Sequence, residues 1–363
     1  MDQFIMYIMS FGVIIGGIDR IFGNKRGYGK KLEEGFLFLG PTALSMVGII
    51  CLTPIISSTL GKVIVPLYEL MGVDPAMFGG ILAIDMGGYQ LAMELAQNSQ
   101  IGQYAGTVVA AIFGCTLVFT IPFGMGVIEK KDHPYFAKGI MVGFVTMPVG
   151  LVVGGIVSGL SLRTVIHQNI PVFILAVFLL FGLWRIPAIM VKGFIIFAGG
   201  IQVIITIGLV LGGVSYMTGR TILPGLVPIE DALAIVSSIG IVMLGSLPTT
   251  ELLQRIMKKP FTYIGNKCRI NDVSIAGLLV SLVTIIPVLS MLKNMDNRGK
   301  VINVAYMVSA CSMLAAHLGF TISTEPQLLS AVFVSKLCGA VVAVLTALFV
   351  TRSDRAEKER RII

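Results

Sequence analysis

Residues 35–61 read GFLFLGPTALSMVGIICLTPIISSTLG, 27 positions without one charged side chain. A helix needs about 20 predominantly apolar residues to cross a bilayer, so this stretch decides which solvent the fold is built for. Residues 193–219 form a second run of 27, 139–162 and 301–324 are 24 each, 164–184 is 21 and 273–292 is 20. Only 13% of the 363 residues are charged, against about 25% in soluble domains, and the mean hydropathy is +0.91. The chain is expected to be an all-α integral membrane protein. Candidate segments fall near 4–20, 36–60, 76–96, 105–128, 139–161, 171–190, 193–217, 231–252, 273–292, 301–320 and 328–350, about 10–11 transmembrane segments in all. No linker is long or polar enough to separate domains, so residues 1–350 form a single polytopic membrane domain.

The net charge of +8 would suggest nucleic acid in a soluble protein. Here Lys and Arg collect in short loops, as they do in cytoplasmic loops of membrane proteins, and no nucleic-acid partner is expected. The last stretch, TRSDRAEKERRII (351–363), reads as a basic cytoplasmic tail. The opening stretch, MDQFIMYIMSFGVIIGGIDR, lacks a basic start and reads as a spanning helix rather than a cleaved signal peptide. Five cysteines without CxxC spacing give neither a disulfide framework nor a zinc site. No metal or cofactor is expected.

The second half carries echoes of the first. Gly35-Phe36 matches Gly193-Phe194, GKVIVP at 61–66 matches GRTILP at 219–224, and ELAQ at 94–97 matches ELLQ at 251–254. Repeat 1 would span about 1–161 and repeat 2 about 171–350. In transporters with internal repeats, substrate sites lie on short, Gly- or Pro-interrupted segments at matched positions of the two halves. Segment 76–96, with Gly79, Gly80, Gly87 and Gly88, and segment 231–252, with Gly240, Gly245 and Pro248, fit that description. Both are expected to be discontinuous or re-entrant and to meet near the midplane. This arrangement divides Lys and Arg more unequally between the two sides than eleven crossings would, as the positive-inside rule prefers. It leaves the basic stretch 255–269 on the wrong side. The relative orientation of the halves stays open.

Asp85 lies in ILAIDMGGYQLAMELA (81–96). A carboxylate at the bilayer centre costs roughly 2.5–3.5 kcal/mol on insertion scales and usually faces a cavity or pathway. In a helix, Asp85 shares a face with Tyr89, and Gln90 with Glu94. Together they suit a small cation with a second polar end; alternatively Asp85 pairs with a lysine or caps a broken helix. The second candidate set follows GSLPTT: Ser246, Thr249, Thr250 and Glu251, the repeat partner of Glu94. These residues are either a hydroxyl-lined site or an ordinary helix cap. HLGFTISTEPQ (317–327) reads as a helix end and short loop. Lys336 is either a counter-ion for one of the acids or a snorkelling side chain.

No HExxH, GxSxG or GK[ST] phosphate loop occurs, so an enzyme is not expected. The alternatives to a transporter are an intramembrane enzyme with a carboxylate pair and a non-transporting scaffold or receptor. The strings MDQFIMYIMSFGVIIGGIDRIFG, GFLFLGPTALSMVGIICLTPI, ILAIDMGGYQLAMELA and SLPTTELLQ resemble the ethanolamine utilization protein EutH family over essentially the whole chain. The resemblance implies a multi-pass protein of the bacterial cytoplasmic (inner) membrane that admits ethanolamine for catabolism. It carries no binding residues over to this chain. Ethanolammonium pairs a cation with a hydroxyl two carbons away, which suits a carboxylate beside Tyr89, Gln90 or a Ser/Thr hydroxyl. Channel, uniporter and coupled carrier all stay open, as does oligomeric state, a homo-oligomer included.

Overall fold

The computed structural model describes residues 2–82 and 88–352. Helix α1 (Asp2–Ile21) leads into α2 (Tyr28–Leu37) and α3 (Leu39–Leu70), which run on as one span of 43 residues. Helices α4 (Ala76–Ile81) and α5 (Gly88–Leu95) are short and pack on each other. The next span, 29 residues from Ser99 to Val127, joins α6 (Ser99–Tyr104) to α7 (Ile121–Val127) through π-helical turns over Ala105–Gly114 and Thr116–Thr120. Helix α8 (His133–Val157) is followed by α9 (Leu162–Gln168) and α10 (Ile170–Arg185), which meet at a 49° bend. Then come α11 (Pro187–Thr218), α12 (Ile229–Cys268), α13 (Asp272–Ser281) and α14 (Ile286–Met291). Helices α15 (Asn297–Ala310), α16 (Ala316–Thr324) and α17 (Leu329–Val350) complete the order. Among the described residues there is no strand, and six helices are long and apolar enough to cross a membrane, seven if the bent pair counts as one span. The all-α membrane architecture is therefore as expected.

Helices α8, α15 and α17 form the most closely packed group. By contrast, α11 turns Ile195, Ile196, Val203 and Ile207 outward, as a lipid-facing helix should.

Two segments enter and leave on the same side. Asp74, before α4, accepts the backbone N–H of Ala76 (2.9 Å) through one carboxylate oxygen and that of Asn98 (2.8 Å) through the other. Asn98 in turn caps α6 with its own side chain. The start of α4 and the end of α5 are thus tied together, so these two helices form a re-entrant hairpin. Asn271 caps α13, and its N–H donates to Asp296 (2.9 Å), the N-cap of α15. Segment 272–294 is therefore a second such hairpin. The span 99–127 separates the two faces: its start lies beside the first hairpin, while the loop beyond its end holds Asp132, which pairs with Lys300 (2.6 Å) at the start of α15. The hairpins open on opposite faces.

The expected pairing of 76–96 with 231–252 needs correction. The first segment is broken into α4 and α5, but 231–252 lies wholly inside the 40-residue α12. Its glycines serve close packing instead of a break. A Cβ on Gly245 would collide with the Met9 carbonyl, and one on Gly12 with the Gly245 carbonyl, so the pair lets α1 and α12 cross backbone to backbone, as small residues do in membranes. Pro248 sits within the helix without ending it, which membrane helices tolerate when neighbours satisfy the freed groups. The repeat at this offset is not confirmed. The order of hairpin followed by two spans does recur, over 76–157 and over 272–350.

An unbroken α12 also corrects the charge map. At about 1.5 Å per residue it is about 60 Å long, twice the hydrocarbon core of about 30 Å, and its basic end joins the other basic loops. Lys62, Arg163 and Arg220 belong to the face of the first hairpin. Every other described Lys or Arg, except Lys336, lies toward the opposite face.

Candidate substrate site

Tyr89 follows Gly88 at the start of α5 and points its hydroxyl at Glu325, 236 positions away in sequence, donating a short hydrogen bond to Oε1. Gln103 Nε2 donates to the same oxygen at 3.0 Å, and Gln327 Nε2 donates to Oε2. The Tyr89 ring stands edge-on to Phe320 with centroids 5.7 Å apart. Glu325 is only 7% exposed. It closes α16, and Pro326 behind it supplies no N–H to prolong the helix. Gly106, in the π-helical stretch, makes the approach of α5 possible, since a Cβ there would stand 2.9 Å from the Tyr89 Cα.

Glu325 differs from the other buried acids. Asp132 has Lys300 as counter-ion, while Asp19 and Asp74 accept backbone N–H groups. Among the described residues Glu325 forms no ion pair, and its hydrogen-bond donors are neutral side chains. A carboxylate so held has partners that can rotate aside and, among the described residues, no counter-ion. A cavity of about 10 Å³, roughly one water, lies beside this cluster between Thr107, Ala111, His317, Phe320 and Thr321. His317 is 4% exposed, and its Nδ1 has no hydrogen-bond partner among the described residues.

The expected residues are distributed over two places. Asp85 lies outside the described residues. Tyr89 is in the Glu325 cluster; Gln90, beside it, is half-buried, its Oε1 without a partner among the described residues; Glu94 is exposed near the end of α5. Ser246, Thr249, Thr250 and Glu251 all ride on α12. There is no helix start for them to cap, because α12 begins at Ile229. Ser246 donates to the Leu314 carbonyl, Thr250 to Ser246 O (2.7 Å) and Leu314 O (3.2 Å), and Thr249 to Ile8 O (3.2 Å). Glu251 pairs with Arg255 at 2.8 Å. Thr250 and Glu251 nonetheless line a cavity of about 340 Å³ with Glu34, Lys31 and Thr284, at the turn of the second hairpin.

The two places are joined by the break between α15 and α16. There the Ser312 and Leu314 N–H groups donate to Ser281 O (3.1 Å) and Leu282 O (2.9 Å) of the second hairpin. Leu314 receives the α12 hydroxyls, Ala315 borders the larger cavity, and His317 borders the smaller one.

Gln103 is not singled out by the sequence, and Glu325 is read there only as part of a helix end and short loop, 317–327. The TISTEPQ stretch held the signal, a glutamate before proline at the end of an apolar run, but it reads equally well as a surface loop. Lys336 is neither a counter-ion to a described acid nor snorkelling: it is fully buried and donates to three backbone carbonyls.

The profile described as "Ethanolamine utilisation protein, EutH" matches residues 1–350. The "Probable ethanolamine permease EutH" of Listeria monocytogenes is 41% identical over 96% of this chain and 94% of its own. The protein of the same name from Escherichia coli is 37% identical over 98% of this chain and 97% of its own. Bacillus subtilis has an "Uncharacterized protein YxeR" that is 37% identical over 99% of this chain and 97% of its own. No solved structure matches. The chain, matched along nearly its whole length by this profile and by these relatives, belongs to the EutH family of ethanolamine utilisation proteins.

Proposed function

We propose that this protein carries ethanolamine, as ethanolammonium, across the bacterial cytoplasmic membrane, and that Glu325 receives the cation. The observation that carries the reading is a buried carboxylate with no cationic partner among the described residues, ringed by Tyr89, Gln103 and Gln327. An ammonium entering the cluster supplies the missing charge, and the tyrosine or an amide turns to the alcohol. Relatives named probable ethanolamine permeases support the substrate. The face with Lys62, Arg163 and Arg220 is external and the basic face cytoplasmic, following the positive-inside rule. Glu325 then stands on the external side of the α15–α16 break, and the cavity lined by Thr250, Glu251 and Glu34 on the cytoplasmic side. Because Lys31 and Arg255 already pair with Glu34 and Glu251, that cavity holds the cargo weakly and favours release, as conduction requires. Asp85, three residues before Gly88, is a second carboxylate for the same cation. No cofactor takes part.

The test is uptake of labelled ethanolamine into proteoliposomes. Wild-type protein should give selective uptake with ethanolamine recovered unchanged. Glu325→Gln keeps the shape but loses hydrogen bonds to a charged group, worth roughly 1.5–3 kcal/mol each, so uptake at limiting substrate should fall about 10- to 100-fold. Uptake by Glu325→Gln at the wild-type rate would remove Glu325 from the site. Conversion of ethanolamine to another compound by the purified protein would overturn transport itself.

A further inference from the structure

Lys336 lies in α17 with none of its surface exposed. Its Nζ donates to Ala111 O at 2.7 Å, Cys311 O at 3.0 Å and Ser309 O at 3.1 Å. An ammonium has three N–H groups and no acceptor, so three carbonyls satisfy it completely. Among the described residues no carboxylate pairs with it. Among the described residues, the positive charge is balanced by backbone carbonyl dipoles.

The position of those carbonyls is informative. Ser309 and Cys311 stand at the C-terminal end of α15, where the last carbonyls lack helical partners and the helix dipole is negative. The chain then breaks over 311–315, with Ser312 at a φ of 52°. The third oxygen comes from the π-helical stretch facing the break, and its residue, Ala111, also borders the small cavity beside Glu325. Unwound carbonyls and half-helix C-termini of this kind are what secondary transporters use to coordinate a coupling cation. Here the ligand set converges on a side chain of the protein itself.

We propose that the Lys336 ammonium is a resident cation in the seat a monovalent metal ion would otherwise fill, so that uptake requires no sodium. This rests on the transport reading above, but the two can fail separately. Fixing the charge covalently keeps the broken helix folded at all stages, with no ion to bind or release. Removing the ammonium should leave an oxygen-lined seat that a small alkali cation can refill.

Two measurements test this. Uptake by wild-type proteoliposomes is compared in sodium chloride and N-methylglucamine chloride of equal strength, with and without an inward sodium gradient. The rates should match, whereas coupling to sodium would raise uptake by about 5- to 150-fold and overturn the proposal. The second needs no transport. Thermal unfolding of purified wild type should be the same in sodium, lithium and choline chloride, while Lys336→Ala should be stabilised by sodium or lithium over choline, as a ligand of the folded state stabilises. Specific stabilisation of the wild type by sodium, or a Lys336→Ala protein indifferent to alkali cations, would sink the idea. Should Lys336→Ala not accumulate, the wild-type measurements still decide. Absence of any ethanolamine uptake by wild type, with the thermal result as expected, would count against the transport reading alone.

Discussion

A carboxylate inside a membrane protein stays charged only if something near it answers the charge. Asp132 is answered by Lys300, and Asp74 by the N–H groups of Ala76, Gln97 and Asn98. Glu325 has a phenol and two amides, all neutral and all movable. Tyr89→Phe removes one hydrogen bond to that carboxylate while keeping the ring against Phe320. We expect uptake to weaken by about fivefold to tenfold, the effect of roughly 1 kcal/mol or slightly more, with the fold intact by thermal melting. Asp85→Asn should impair uptake while the protein inserts normally, since only the charge is lost. If it transports at the wild-type rate across neutral and acidic pH, Asp85 is structural and Glu325 acts alone.

The elements explain how such residues come to stand together. Gly106 gives α5 the room to seat Tyr89 against the π-helical stretch. Gly106→Leu should push α5 away, and uptake should fall at least as far as in Tyr89→Phe although no polar group has changed. Equal activity of wild type and Gly106→Leu would show that the hairpin tolerates displacement. The buried Asp132–Lys300 pair holds the α7–α8 loop against the start of α15. Removing one partner of a buried pair costs about 3–5 kcal/mol, mostly from the charge left behind. Lys300→Met should therefore melt well below wild type, and Asp132→Asn added to it should restore part of the loss. A double variant less stable than Lys300→Met would contradict that account.

Across the whole molecule, opposed hairpins and an asymmetric charge map make one topological statement. In a cysteine-free background, Arg220→Cys should react with a membrane-impermeant maleimide added outside cells. Arg269→Cys should react only after the membrane is opened. The reverse pattern would invert the protein and place Glu325 on the cytoplasmic side. The same map shows why 255–269 looked misplaced in sequence. A segment with glycines and a proline can be a hinge or a packing surface, and α12 uses Gly245 to meet Gly12 of α1.

The solvent, the helical class and the family can be read from the chain itself. Uncharged runs of 20 to 27 residues leave the backbone in lipid little choice but to satisfy its own hydrogen bonds, and that demand is local. The unusual status of 76–96 is also local, because paired glycines and an acid in an apolar run mark it wherever it folds. Which broken segment answers it was decided by tertiary structure, since glycine permits a break without requiring one. The cluster around Glu325 joins residues 236 and 222 positions apart, and the seat of Lys336 draws on a carbonyl 225 positions away. Carbonyl groups belong to every residue and leave no mark in composition or spacing. Only the packing of α15, α17 and the π-helical span could turn three of them toward one ammonium.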